Sequence, residues 1–257
     1  RSAEFKRAFA GATMHDFFNL VTVAILLPVE LATGYLSKTS VWLVESLDLN
    51  QGVDFKSPVS NAVKVAAKLV HGGVKDVAGE GQPEVILMLA LSLALIFVAL
   101  VFITKNMKIM MAGRLEKAIN RALERSGLLG IAIGIIATVS VQSSSITTSI
   151  LVPMFAAGVL TLQNGFPICL GANVGTTVTA LLAATAAGPA GLAIAFVHLL
   201  FNVTGILVIY PFPPVRRIPI VLATSLAEKA AQAKWWILAY VGGTFVVLPL
   251  VGMLIFR

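Results

Sequence analysis

The chain has 257 residues, 58% of them hydrophobic and 12% charged, with a mean hydropathy of +0.92. A soluble domain carries about 25% charged residues, so a water-soluble globule, a disordered chain and a disulfide scaffold are all excluded. The net charge of +7 and pI of about 9.8 would suggest a nucleic-acid partner, but the basic residues cluster in short stretches between apolar runs, where they report membrane orientation.

The first apolar run extends from about Phe9 to Leu36 and is interrupted by His15, Asp16, Asn19 and Glu30. Residues 37–84 hold five lysines against six acids; within them Val59, Val63, Ala66 and Val70 recur at near-helical spacing and predict a short surface helix. A second span follows from Val85 to Ile103, 19 residues without a charge, long enough to cross a bilayer. Residues 105–125 carry six Lys or Arg against two acids, and Ile109, Leu115, Ile119 and Ala122 or Leu123 predict a basic amphipathic helix on the cytoplasmic face. The 90 residues 126–215 contain no Asp, Glu, Lys or Arg. Residues 216–235 hold four basic residues against one acid, read as a loop, and a last span runs from Trp236 to Phe256 behind the Trp235–Trp236 anchor. The basic bias places 1–7, 105–125 and 216–235 in the cytoplasm and 37–84 outside, so the uncharged block must cross an even number of times.

Two polar islands interrupt that block. The first is Ser140-Val141-Gln142-Ser143-Ser144-Ser145-Ile146-Thr147-Thr148-Ser149, flanked by apolar arms at Leu128–Val141 and Ile150–Leu162. Each arm is too short to span, so the pair predicts a re-entrant hairpin, whose irregular backbone must be buried in protein or line a wet cavity. The second is Gly171-Ala172-Asn173-Val174-Gly175-Thr176-Thr177-Val178-Thr179. Two glycines around an asparagine, followed by hydroxyls, predict a broken membrane helix whose free ends suit an anion and sodium. Single hydroxyls in membrane helices commonly bond their own backbone or a neighbour; their clustering here favours a ligand site over that blander reading. Full helices are expected at about 163–187 and 190–212.

An internal repeat runs through the two ends of this region. His15-Asp16-Phe17-Phe18-Asn19 with Pro28, and His198-Leu199-Leu200-Phe201-Asn202 with Pro211, share H-x-x-F-N and a proline nine residues on, at an offset of 183. The loop charges send the two copies in opposite directions, the signature of inverted-topology transporters. By the same offset a serine cluster should precede residue 1, so the chain, which starts without methionine or a signal pattern, is expected to be a fragment lacking the first half of the first repeat. His15, His198 and Asn202 are read as architectural, holding equivalent hydrogen bonds in the two copies. Asp16 faces Leu199 in the repeat; an intramembrane carboxylate is a functional candidate, the rival reading being an interfacial acid. Cys169 stands alone, excluding an intrachain disulfide, and is read as a packed small hydrophobe.

Glu4–Glu30 (EFKRAFAGATMHDFFNLVTVAILLPVE), Val141–Ile150 (VQSSSITTSI) and Gly171–Ala184 (GANVGTTVTALLAA) resemble the type II sodium-dependent phosphate cotransporters, in a compact bacterial form. The family carries two QSSS hairpins in inverted repeats, of which this sequence shows the second. The resemblance implies a phosphate site at Gln142, Ser143, Ser144, Ser145, Asn173 and Thr177. It implies sodium ligands at Asn19, Asp16, Ser143, Thr176, Thr179 and the carbonyl of Ala172, where some relatives have serine. Asp16 matches an acid of the electrogenic members. The large glycosylated outer loop of animal relatives is absent, and the Asn202-Val203-Thr204 sequon lies within a span and is discounted.

The fold class is therefore an all-α polytopic membrane protein with inverted-topology repeats, a re-entrant hairpin and a broken helix. Residues 1–36 are the last helix of the first repeat, 37–84 an outer loop, 85–215 the second repeat, and 216–257 a cytoplasmic loop and C-terminal helix. The expected activity is sodium-driven phosphate import by alternating access in the bacterial inner membrane. No cofactor is expected beyond sodium as coupling ion; phosphate, sodium and the lipid bilayer are the partners, a nucleic acid is not, and a homodimer is left open. A passive anion channel, or a sodium symporter for another small oxyanion, is the alternative. An intramembrane serine hydrolase using a QSSS serine and His198 lacks a G-x-S-x-G elbow, so an enzyme is not expected.

Overall fold

The computed structural model describes residues 2–47, 58–79, 81–95, 98, 101–102, 126–185 and 188–255, and for 58–66 the backbone alone. Every regular element among them is helical: α1 Ser2–Thr33, α2 Tyr35–Ser46, α3 Pro58–Ala78, α4 Gln82–Leu95, α5 Gly127–Val141, α6 Ser144–Ala157, α7 Leu162–Ala184, α8 Gly188–Ile209, α9 Pro213–Gln232, α10 Trp235–Gly242, a π-helical turn Gly243–Val247, and α11 Leu248–Ile255. Among the described residues four stretches are long and apolar enough to cross a membrane, namely α1, α7, α8 and Trp235–Leu254. The expected surface helix exists as α3, though the side chains of Val59, Val63 and Ala66 lie outside the described residues. So does the expected amphipathic helix at 105–125.

Local chemistry sets the boundaries. Thr33 ends α1 because Gly34 adopts φ +65°, a left-handed cap that glycine takes without Cβ strain. Glu30 then reaches forward and accepts from the backbone N–H of Leu36 at 2.6 Å and of Ser37 at 3.1 Å, satisfying amides that open α2. The Ser126 hydroxyl caps α5 by accepting from Leu129 N–H, and Thr161 does the same for α7 through Asn164 N–H. Gly158 closes α6 at φ +76°. There the Arg7 guanidinium of α1 donates to the Phe155 and Ala156 carbonyls at 2.6–3.1 Å, a cation placed on the negative end of the α6 dipole.

The core forms where α1, α5, α6, α7 and α9 meet, around Met14, Phe18, Leu151, Phe155, Phe166 and Ile168. Its tightest seam joins α5 to α7. A Cβ on Gly134 would stand 2.1 Å from the Ile168 carbonyl oxygen, and one on Gly171 would stand 2.0 Å from that of Ile131. Gly175 meets the Thr138 side chain at 2.6 Å in the same way. Small residues at four-residue spacing on both helices let the backbones touch, the form of helix association favoured in lipid.

That seam corrects the broken helix. α7 is continuous through Gly171–Thr179: its glycines serve close packing and its hydroxyls are occupied by its own turns. Thr176 donates to Ala172 O at 3.0 Å, Thr177 to Val174 O at 2.7 Å and Thr179 to Thr176 O at 2.7 Å. The connection at 216–235 is largely helical. Residues 213–232 form the regular helix α9, which packs on α1 through Ile220, Ala223 and Ala227. Ile220, Ala223, Ala227 and Ala230 recur at helical spacing, a signal outweighed by the charge count. The connection at 37–84 opens with α2, whose Leu36, Ser40 and Val44 are buried.

The serine-rich island forms a tight helical hairpin. α5 and α6 are joined by Gln142 and Ser143 alone, and Gln142 takes the left-handed conformation, φ 55° and ψ 29°. The second arm starts at Ser144 rather than at Ile150, so most of the hydroxyls lie inside α6. Thr147 and Thr138 share a buried hydrogen bond of 3.0 Å across the two arms. Thr148 folds back on the Ser144 and Ser145 carbonyls at 3.0 and 3.2 Å.

Candidate functional site

α1, α6, α7 and α8 converge on a cavity of about 340 Å³ lined by His15, Asp16, Asn19, Val23, Ser144, Asn173, Thr176, His198, Phe201 and Asn202. The volume is near the lower end for ligand sites and suits small ions. Asp16 is the only carboxylate in the lining, which includes no lysine or arginine. A wider recess of about 420 Å³ runs along α7 and α8, but it is lined by Ala180, Ala183, Ala184, Gly191, Ile194 and Ala195 with His198, and offers an ion almost no polar partner.

Each wall contributes different chemistry. α1 brings His15, Asp16 and Asn19 on adjacent turns. The His15 Nε2 stands 3.1 Å from Asp16 Oδ1, while its Nδ1 is buried with no hydrogen-bond partner. Asn19 Oδ1 accepts from Asn173 Nδ2 at 3.1 Å, tying α1 to α7. Ser144 is the first helical residue of α6, and its N-cap Ser143 makes no side-chain cap bond. The opening amides of α6 thus stand beside the cavity without the usual internal acceptor, an arrangement that attracts anions. Thr176 presents its hydroxyl from α7, and Asn202 donates to the His198 carbonyl at 3.3 Å within α8.

Of the residues expected to bind ligands, Asp16, Asn19, Ser144, Asn173 and Thr176 are brought together here, with His15, His198 and Asn202. Gln142 and Ser145 are exposed at the hairpin turn, and Ser143 is half-buried; none lines the cavity. Thr177 and Ala172 are completely buried, Ala172 at the α5 seam, and Thr179 is turned to its own backbone. Because α7 is unbroken, the Ala172 carbonyl accepts from Thr176 rather than standing free. The equivalent bonds expected of His15 and His198 differ as well: His15 engages Asp16, whereas Asn202 bonds only the backbone of His198.

Tyr240 was outside the sequence-based site. Its hydroxyl, from α10, donates to Asp16 Oδ2 at 2.5 Å, and its ring stacks on Phe17 with centroids 5.8 Å apart. A single tyrosine in an apolar C-terminal span carries no periodic signal; only the tendency of a buried phenol to find a partner points to it.

Residues 95–218 match the family model described as Na+/Pi-cotransporter. The chain is 28% identical over 317 residues to sodium-dependent phosphate transport protein 2A of Ovis aries, covering 96% of this chain and 50% of the relative. It is 29% identical over 315 residues to the 2A protein of Rattus norvegicus (96% and 49%), and 30% identical over 336 residues to the 2B protein of Homo sapiens (96% and 49%). The chain thus spans about half the length of these relatives. No solved structure matches it.

Proposed function

We propose, from the likeness of residues 95–218 to the Na+/Pi-cotransporter family model, that the chain forms the ion-binding part of a multi-pass transporter coupling phosphate uptake to sodium entry. What carries this reading is the composition of the cavity: a carboxylate, three amides, two hydroxyl side chains and the start of a helix, with no lysine or arginine in the lining. A phosphate entering alone would meet Asp16 as a like charge. Two unit charges about 6 Å apart repel by ~3 kcal/mol at an effective dielectric near 20, enough to weaken binding more than a hundredfold. A sodium ion between them reverses the sign. Each ion then improves the affinity for the other, and that reciprocal free energy is the coupling.

In this arrangement Asp16, Asn19 and Thr176 hold sodium through oxygen, while Ser144, Asn173 and the opening amides of α6 receive phosphate. Sodium binds first, because it removes the repulsion. The arms of the hairpin, 15 and 14 residues, are about 22 Å long, short of the ~30 Å hydrocarbon core, which supports a re-entrant element. The repeat gains support from the cavity as well: His15 with His198, and Asn19 with Asn202, are equivalent positions that line the same space. Thr22 and Gly205, also equivalent, meet where a glycine Cβ would stand 2.6 Å from the Thr22 side chain. Two related halves around one site would expose it to alternate sides of the membrane by rocking against each other.

Uptake of radiolabelled phosphate into proteoliposomes holding the full-length protein tests the proposal. Uptake driven by an inward sodium gradient, and abolished when potassium replaces sodium, is expected. Phosphate flux indifferent to sodium would make the protein a passive anion pathway. Sodium-driven flux of another oxyanion in preference to phosphate would reassign the substrate.

A further inference from the structure

We propose that Tyr240 is the gate of the sodium site: its hydroxyl holds the Asp16 carboxylate and must release it when sodium binds. The inference rests on the reading of Asp16 as a sodium ligand, and it adds a residue of the C-terminal helix, outside the matched family segment at 95–218.

Both oxygens of Asp16 are already engaged. Oδ1 faces His15 Nε2 at 3.1 Å, and Oδ2 accepts from Tyr240 at 2.5 Å. A hydrogen bond to a charged acceptor is among the stronger ones in a protein. Sodium gathers several oxygens around itself, so a carboxylate clamped on both sides presents fewer lone pairs to it. The phenol has no comparable attraction for a carboxylate whose charge is already satisfied by a cation. Tyr240 and sodium therefore compete for the same atom.

The helix that carries Tyr240 is lightly packed against the rest of the described structure. No residue of α10 is buried, and the Trp235–Leu254 span has no buried residue in its most apolar stretch. What ties α10 inward is a short set of side-chain contacts: Tyr240 to Asp16, the Phe17 ring stack, and Lys229 of α9 over Trp236 at 4.8 Å. Two residues beyond Tyr240 come Gly242 and Gly243, around which nothing lies within 4 Å of a built Cβ. The π-helical turn Gly243–Val247 starts there. Such turns accommodate one residue too many for the α-ladder and recur at functional sites. Passing the extra residue along the helix would swing Tyr240 away from α1 without unfolding the span.

The test is Tyr240→Phe in the full-length protein, which keeps the ring against Phe17 and removes only the hydroxyl. The sodium concentration for half-maximal phosphate uptake is expected to fall about tenfold, as loss of a charge-assisted hydrogen bond would give, with the phosphate KM at saturating sodium unchanged. Trp235 and Trp236 lie five and four residues before Tyr240 and report the same event. Sodium without phosphate should change their fluorescence in the parent protein, and this response should vanish in Tyr240→Phe. An unchanged or raised sodium requirement, or a fluorescence response that survives in the variant, overturns the gate while leaving sodium-coupled transport intact. Sodium-independent uptake by the parent protein would instead overturn the transport reading itself.

Discussion

Gln142 is the non-glycine residue that takes a left-handed backbone among those described, with φ 55° and ψ 29°. Such a conformation costs a residue with a Cβ about 1–2 kcal/mol, and it persists where surrounding structure imposes it. Here it turns α5 into α6 within two residues and so fixes where Ser144 meets the cavity. If the backbone is what the position supplies, Gln142→Gly should retain sodium-driven uptake and Gln142→Val, whose branched Cβ resists the left-handed region, should lose most of it. Loss in the glycine variant would make the amide side chain itself a ligand. The Asn19–Asn173 bond makes a second case. Asn173→Ala leaves the half-buried Asn19 oxygen without its donor, at a cost of about 1–3 kcal/mol. Uptake should fall at least tenfold, and the double variant with Asn19→Ala should be less impaired than the product of the two single effects, as expected for partners in one bond. Multiplicative losses would show that the bond between the two amides adds nothing to what each does at its own ion.

At the scale of elements, the α5–α7 seam decides how much of the molecule could be read in advance. The backbone of α5 and α7 touches because Gly134 and Gly171 stand against the Ile168 and Ile131 carbonyls. A backbone oxygen cannot rotate away as a side chain can. Gly171→Ala and Gly134→Ala should each destabilise the protein by roughly 1–3 kcal/mol, the usual cost of overpacking, visible as a lower thermal midpoint in detergent. Gly243→Ala, placed in open space, should leave that midpoint nearly unchanged. The spans at α1, α7, α8 and Trp235–Leu254 were legible from apolar length and the absence of charge, the one expected at Val85–Ile103 lies partly outside the described residues, and the clustered hydroxyls marked the hairpin. The glycines of Gly171–Gly175 were open to two readings, because a glycine pair permits a break and a close approach equally well. Only the neighbour on α5 chooses between them, and that neighbour lies 37 positions away in sequence for Gly134 and Gly171. The site was partly legible for the same reason. Asp16, Asn19, Asn173 and Thr176 stood out as polar groups in apolar runs, while Tyr240 depended on which helix folds back against α1.

Over the whole molecule, the apolar surface describes the solvent. Leu128, Ile194, Leu238 and Leu254 are each 72–75% exposed, on helices that water would not leave so bare. The cations that stand on rings, Arg216 over Tyr210 at 5.1 Å and Lys229 over Trp236 at 4.8 Å, bracket α9 and suit a position at a lipid headgroup surface. Inside this apolar shell the cavity holds a partly buried carboxylate, and two ions held beside it would interact more strongly than in solution. A whole-molecule consequence follows for stability. A ligand that binds the folded state raises its stability by an amount set by concentration over Kd. If sodium improves phosphate affinity, the shift in thermal midpoint with both ions present must exceed the sum of the shifts with each alone. Phosphate in potassium should produce almost no shift, sodium alone a modest one, and the two together several degrees more than their sum. Replacing Asp16 by Asn removes the like charge, so in Asp16→Asn phosphate without sodium should gain a measurable shift while the excess for the pair shrinks. Strictly additive shifts in the parent protein would mean the two ions occupy the cavity independently, and a site that binds them independently has no means of driving one with the other.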